Sequence, residues 1–339
     1  MSYKNLTIIN NEKISSEENN FYCDNIDIKT IPEELNKTFQ VKLIARKSKY
    51  KQVSKINLKD VIGASNLFDF LYKIFRTFKI SSNIYLIISI TPYTFFSYIL
   101  LLIFRKKVFV YLRSSGYEEY RAILGFIGPI IYHIMFKVVT YKSIIITCQS
   151  RLFEKEKKNI VFPSELNSTW LQNTKIPPLD KPRLLYVGRV KIEKGIFSLL
   201  KIFEELNIDA NLSIVGKKES ENINSKKVNY IGHGFDFNEL IKIYDEHNIF
   251  ILPSFTEAHP KVLDEALSRK RPVIIFEDIR HVVQNRNGIF VSQRNLESLV
   301  NTIEFIMKDY KNIQQSMNKN KLPTKKDFVT QMNNILKNN

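Results

Sequence analysis

The chain has 339 residues, 44% of them hydrophobic, which is enough for two domains of ordinary size with real cores. Its two cysteines, Cys23 and Cys148, exclude a disulfide framework and point to a reducing compartment. The histidines (His133, His233, His247, His259, His281) show no pair at metal-ligand spacing, so no metal and no other cofactor is expected.

From the N-terminus, Ser2 to Asn20 is polar and of mixed charge and has no secretory pattern, so a cytoplasmic location is expected. Strands are expected near Leu6–Ile9, Val41–Ala45, Ile84–Ile90, Val108–Leu112 and Ser143–Thr147, giving an α/β domain over residues 1–165. Ile84 to Phe104 carries no charge and is about long enough to span a bilayer. Pro92 divides it, however. It reads better as a buried strand followed by a buried helix, Tyr93 to Phe104, which with Val108–Leu112 completes a β–α–β unit. Ile123 to Phe136 contains Gly125, Gly128 and Pro129 and reads as a broken or kinked helix.

The basic excess is uneven: net +11 over residues 1–170 and +6 over the remainder. Lys42 to Lys59 carries seven cations and no acid, and Tyr72 to Lys79 mixes bases with aromatics. Such a surface suits anionic lipid headgroups at the inner face of a membrane, and equally an ordinary solvated surface. No recognised nucleic-acid motif accompanies it, so nucleic acid is not expected as a partner.

Residues 166–181, with Pro177-Pro178, read as a linker. A second domain is expected over 182–320, with strands Leu184–Val187, Leu212–Val215, Val228–Ile231, Ile249–Leu252, Val273–Phe276 and Ile289–Val291 alternating with helices in a doubly wound parallel sheet. Two of its segments carry chemistry. In the first, strand Leu184–Val187 runs into Gly188-Arg189, and Glu193-Lys194-Gly195 leads into a helix with Ile196, Leu199, Leu200, Phe203 and Leu206 on one face. Arg189 offers a planar fork to phosphate oxygens and Lys194 a point charge. In the second, a strand ends at Pro253, and Glu257 and Glu265 stand eight positions apart around a helix expected to begin at Pro260. The free N–H groups of that helix start suit an anion. Two cations and a helix N-terminus can receive a diphosphate, and the two carboxylates can grip sugar hydroxyls at two places along one ligand. Together they describe a nucleotide-sugar site.

These residues resemble the donor half of a retaining GT-B glycosyltransferase of glycosyltransferase family 4. Gly188-Arg189, Glu193-Lys194-Gly195, Glu257 and Glu265 match its motifs. The strands ending at Gly216 and Gly232 match its intermediate strands, and the resemblance covers roughly residues 180 to 310. It implies the fold: two Rossmann-like doubly wound parallel-sheet domains facing a cleft, with the segment 321–339 as a helix crossing back to the first domain. It also implies roles. Arg189, Lys194 and Glu257 are catalytic, the first two at the diphosphate and Glu257 beside the transferred sugar. Glu265 holds the ribose, and Gly188, Gly216, His259, Pro260, Lys261 and Val262 complete the donor site. The family usually has glycine where this chain has Ala258 and Lys270. Its glycine-rich loop is replaced by Glu277-Asp278-Ile279-Arg280-His281.

The reaction implied is transfer of a sugar, with retention, from a nucleoside diphosphate to a hydroxyl of a glycan or lipid-linked acceptor in cell-surface polysaccharide synthesis. The leaving phosphate takes the acceptor proton. Acceptor-side candidates are Asp24, Asn25, Arg113 and Ser114 in the first domain. Two alternatives stand beside this reading. One is the same fold with another activated sugar, such as a nucleoside-monophosphate-linked acid, which His259-Pro260 faintly suggests. The other is a non-catalytic basic protein binding membrane or nucleic acid.

Overall fold

The computed structural model describes residues 4–18, 20–80, 82–149, 158–217 and 227–338, so Ser2, Tyr3 and Asn19 of the polar N-terminal stretch lie outside the described residues. The chain forms two compact units, Met1–Phe162 with Asp327–Asn339, and Pro163–Lys326.

The first unit runs β1 (Asn5–Glu17), β2 (Asn20–Cys23), α1 (Ile26–Leu35), β3 (Gln40–Lys47), β4 (Ser54–Ile56), β5 (Asp60–Ala64), α2 (Leu67–Arg76), β6 (Ile84–Ile88), α3 (Pro92–Ile103), β7 (Val108–Leu112), α4 (Tyr117–Leu124), α5 (Gly128–Tyr141), β8 (Ile144–Thr147) and β9 (Lys158–Ile160). Parallel pairing gives the order β5-β3-β1-β6-β7-β8-β9. Beyond a register shift between Ile9 and Lys13, β1 continues into an antiparallel ribbon with β2, which pairs β4. The central strands are apolar at every position of β6 because both faces are covered. Ile84, Leu86 and Ile88 face one core with Ile28 and Ile31 of α1, while Tyr85 and Ile87 face the other with Phe70, Tyr98 and Tyr132.

The apolar stretch from Ile84 therefore divides as its proline requires. The strand ends at Ile88 rather than Ile90, since Ser89 turns the chain with φ 67°. Thr91 then caps α3, with Pro92 in its first turn. Among the described residues no helix is long and apolar enough to cross a membrane. The break between α4 and α5 falls at Gly125, with φ 65°. Gly128 then lets the helices touch, since a Cβ there would lie 1.9 Å from the Tyr120 carbonyl oxygen.

The second unit runs α6 (Ser168–Leu171), β10 (Arg183–Val187), α7 (Ile196–Glu204), β11 (Asn211–Val215), β12 (Val228–Gly232), α8 (Phe237–Glu246), β13 (Ile249–Leu252), α9 (Lys261–Ser268), β14 (Val273–Phe276), β15 (Ile289–Ser292), α10 (Leu296–Lys308) and α11 (Tyr310–Met317). The sheet is wholly parallel, in the order β12-β11-β10-β13-β14-β15. That is a doubly wound sheet whose topological switch lies between β10 and β13, and ligands of such sheets bind outside the carboxyl ends of the strands there.

Residues 166–181 are not a free linker. Trp170 of α6 is buried in the core of the second unit. Arg269 donates to the carbonyls of Trp170, Gln172 and Asn173, and Arg271 to that of Lys175. Both guanidinium groups are 1% exposed and share the Asp245 carboxylate, at 2.7 and 3.0 Å. The last helix, α12 (Lys325–Asn338), starts after residue 321 and buries Phe328, Met332 and Leu336 in a core of the first unit, where Ile335 is only partly buried.

Asp245→Ala would leave two buried guanidinium groups without their carboxylate, a loss of about 3–5 kcal/mol. Trp170 is the single tryptophan and reports the second unit. Urea unfolding followed by its fluorescence should show a clearly lower midpoint for the variant; an equal midpoint would mean the segment is held by something else.

Candidate functional site

The two motifs are the loops at the carboxyl ends of β10 and β13, on either side of the switch point. After β10 the chain passes Gly188 and Arg189, forms a 3-10 turn over Ile192–Lys194, and reaches Gly195 with φ 68°. There α7 begins and buries Ile196, Leu199, Leu200 and Phe203, as its apolar period predicts. Gly195 cannot be replaced without displacement, since a Cβ would lie 1.8 Å from the Pro253 carbonyl oxygen. That approach stitches the loops together. Phe255 N–H donates to the Glu193 carbonyl at 3.1 Å. Lys194 Nζ lies 2.6 Å from Glu257 Oε1, and Ser254 Oγ donates to the same oxygen at 2.7 Å.

Arg189 is placed by its backbone: its carbonyl accepts from the Tyr186 hydroxyl at 2.7 Å. Gly188 leaves room for that hydroxyl, as a Cβ there would meet it at 2.8 Å. Burial pushes the Tyr186 phenol well up, so it stays a donor. The Arg189 residue is exposed, and among the described residues no carboxylate pairs with it. Gly216 serves a close approach of strand ends, since a Cβ there would lie 1.8 Å from the Gly188 carbonyl oxygen.

The second helix departs from expectation in two ways. Pro260 is its cap residue, with ψ 110°, and the helix proper starts at Lys261. The N–H groups of Lys261 and Val262 thus belong to the first turn, where no carbonyl of the helix can reach them. His259, expected at the donor, is instead turned inward. Its side chain is 5% exposed, and Nε2 stands 3.0 Å from Asp264 Oδ2. Arg286 Nη1 holds the other oxygen of Asp264 at 2.5 Å. Lys261 Nζ reaches Glu165 at 3.1 Å, and Val262 packs on the core. Glu265 is half-buried and accepts from the Tyr244 hydroxyl at 3.1 Å. Desolvation pushes its carboxyl up to about 7, against the lowering effect of that hydrogen bond and of Lys261. Glu257 and Glu265 are therefore held by different partners, Glu257 by Lys194 and Ser254 and Glu265 by Tyr244.

Several residues at the site carry no sequence signal. Arg294 stacks on Phe255 and Phe276, 4.1 and 4.3 Å from their ring centres, and pairs with Asp278 at 2.7 Å. His281 Nε2 lies 2.8 Å from the Glu257 carbonyl oxygen. Ser254 and Tyr244, which anchor the two glutamates, are legible only as a strand end and a helix position.

In the first unit two of the acceptor-side candidates, Asn25 and Arg113, meet at Asp27, which has no motif to mark it. Arg113 pairs with Asp27, whose backbone N–H donates to Asn25 Oδ1 at 3.1 Å. Asn25 Nδ2 donates to Glu12 at 2.9 Å, and Asp24 Oδ1 accepts from Val53 N–H at 3.3 Å. Ser114 is exposed and follows Arg113 in sequence.

Residues 170–322 match the family described as Glycosyl transferases group 1. An uncharacterized glycosyltransferase of Haemophilus influenzae is 30% identical over 182 residues, 50% of this chain and 52% of that protein. The N,N'-diacetylbacillosaminyl-diphospho-undecaprenol alpha-1,3-N-acetylgalactosaminyltransferase of Campylobacter jejuni is 26% identical over 162 residues, 45% of this chain and 42% of that one. The chain thus spans about half the length of the curated relatives it matches. Among solved structures, Anabaena HepE in complex with UDP-glucose has a TM-score of 0.69 at 12% identity and covers 98% of both chains. That whole-chain likeness shows the GT-B fold of two Rossmann-like parallel-sheet units.

Glu265 makes stability depend on pH. Its folded-state value, about 7, lies above the ordinary 4.5, so the folded protein holds this proton more tightly than the unfolded chain does. The stability it contributes is complete below about 4.5 and is lost as pH rises through about 7. Glu265→Gln removes the loss. The melting temperature of the variant relative to wild type should rise between pH 5 and pH 8, and a constant difference would contradict the desolvated carboxyl.

Proposed function

We propose that the protein is a retaining glycosyltransferase of the family 4 kind. It would move a sugar from a nucleoside diphosphate to a hydroxyl of a glycan or lipid-linked acceptor, in cell-surface polysaccharide synthesis. The observation that carries the reading is the Lys194–Glu257 contact at 2.6 Å, made across the switch point of the parallel sheet on the same loop as Arg189. The match of residues 170–322 to group 1 glycosyl transferases supports it. So does the fold shared with a protein that binds UDP-glucose, and the undecaprenol-diphosphate named in the Campylobacter relative supports a lipid-linked acceptor.

In this reading the hard step is departure of the diphosphate from an oxocarbenium-like centre. Arg189, Lys194 and the first turn of α9 take up the charge that develops on the leaving group. Lys194 arrives already oriented, because Glu257 Oε1 holds its ammonium while two of its three N–H donors stay available. Glu257 Oε2 is left to a hydroxyl of the transferred sugar, and Glu265 to the ribose. The carboxylate of Glu257 is neutralised by Lys194, which makes it a poor nucleophile and suits attack from the leaving-group face. There the departing phosphate takes the acceptor proton and the acceptor oxygen forms the new glycosidic bond. The alternative of a nucleoside-monophosphate-linked acid is the less favoured reading, because the His259 side chain that suggests it is buried against Asp264.

Two measurements test this. Arg189→Ala and Lys194→Ala should each lower turnover at least about a hundredfold with the melting temperature kept, the scale of one well-placed electrostatic donor; near-normal transfer by both would remove the diphosphate from this loop. Because side chains and a helix N-terminus meet the phosphate charge, transfer should also persist in excess chelator. Loss of transfer that Mg²⁺ or Mn²⁺ restores would show that a metal does this work instead.

A further inference from the structure

The first unit carries a helical hairpin that is apolar on both sides. One stripe of α5, Gly128, Tyr132, Met135 and Val139, is buried against the sheet. The opposite stripe is apolar as well, and it is bare. Ile130 and Ile134 are 59% and 56% exposed, the end of α4 presents Ile123 at 67%, and the turn presents Phe126 at 83%. Beyond the exposed His133 and Lys137 the uncovered side of α5 is apolar, and an exposed apolar cluster of this kind marks a contact surface. The turn itself is built to project: Gly125 holds φ 65°, and nothing lies within 4 Å of where its Cβ would stand.

We infer that this hairpin tip, Ile123 to Ile134, is inserted into the interfacial layer of an anionic bilayer. The charge around it selects that occupant. From Tyr120 to Lys142 the chain contains Arg121, Lys137 and Lys142 and no acidic residue. Arg121, Lys137 and Lys142 are all exposed, Arg121 lying 3.4 Å from the equally exposed Glu118. A second copy of the chain packed on this face by two-fold symmetry would bring like charges together, since each side of such a contact is the same patch. A surface of phosphate headgroups over hydrocarbon satisfies both the bases and the apolar stripe. The net +11 of residues 1–170 adds long-range attraction to that surface, so the basic run read from the sequence would steer while the hairpin anchors. The inference deepens the lipid-linked acceptor proposed above, but it is read without turnover and so stands or falls separately.

The test is flotation with vesicles of equimolar phosphatidylglycerol and phosphatidylethanolamine, and with vesicles of phosphatidylcholine alone, at low salt. Wild type should float with the anionic vesicles and not with the neutral ones. Phe126→Asp with Ile130→Asp should bind the anionic vesicles at least about tenfold more weakly, since two buried apolar side chains are lost. Its melting temperature and its nucleotide-induced thermal shift should stay unchanged. The Phe126→Trp variant should show a blue-shifted emission on adding anionic vesicles, against a constant background from the buried Trp170. Failure of wild type to float, equal flotation of the double variant, or an unshifted emission from the Phe126→Trp variant would each overturn the inference. So would sedimentation showing a wild-type dimer that the double variant abolishes, because the occupant would then be a second copy. A missing nucleotide shift in wild type would count against the donor site and leave the membrane result standing.

Discussion

The candidate site depends on one close approach. Gly195 adopts φ 68° against the Pro253 carbonyl oxygen, in a space no side chain can enter. The parallel sheet makes the approach available by placing β10 beside β13, and the loops leaving these two strands then rise together. Once Gly195 is seated, the Glu193 carbonyl meets the Phe255 N–H and Lys194 meets Glu257. The glycine is thus the geometric condition for a cation and a carboxylate that are sixty-three positions apart in sequence to act as one group. A side chain at this position would be opposed twice, by the left-handed backbone and by the carbonyl.

Charge in the second unit is divided by depth. Arg269 and Arg271, both buried, are committed to Asp245 and to the carbonyls of residues 170–175. Asp264, also buried, is shared by His259 and Arg286. Removing Asp245 or Asp264 would leave an uncompensated charge out of water. Lys194 and Glu257 lie at intermediate depth, where a carboxylate still orients an ammonium but water no longer screens it fully. Arg189 lies outermost, with no carboxylate partner among the described residues. In the proposed site, an anion approaching the carboxyl ends of β10 and β13 would meet the outer charge first and the oriented one next.

The strands of the second unit were legible to within a residue at each end because its inner strands, covered on both faces, are mostly apolar runs, and Gly188, Gly216, Gly232 and Pro253 mark four of the six strand ends. The first unit was legible only at its centre. β2, β4 and β9 are three or four residues long, and β4 and β9 carry lysines at the sheet margin, so no period could develop. β1 continues through the polar run Asn10–Glu17 because its ribbon with β2 is partly solvated, which breaks the apolar signal. Residues 166–181 read as a linker because what anchors them, Arg269 and Arg271, lies about a hundred positions away. At the site, the motif residues were legible and their anchors were not. Ser254, Tyr244 and Asp27 are ordinary residues whose roles come only from what the fold places opposite them.

The places where the chain lacks the resembled family's glycines show two different physical outcomes. Lys270 keeps the conformation a glycine would supply, with φ 55°, so the backbone is preserved and the strain is carried by the packed turn between α9 and β14. The segment Glu277–Val282 goes the other way. It folds into a 3-10 turn fastened by side chains, with His281 against the Glu257 carbonyl and Asp278 against Arg294, itself held between Phe255 and Phe276. A glycine-rich loop could adapt its backbone to a ligand, and this one is fixed from both ends. In the proposed reaction, a sugar beside Glu257 would meet a preformed wall rather than a yielding loop, so discrimination between donor sugars falls to the shape set by His281 and the stacked Arg294.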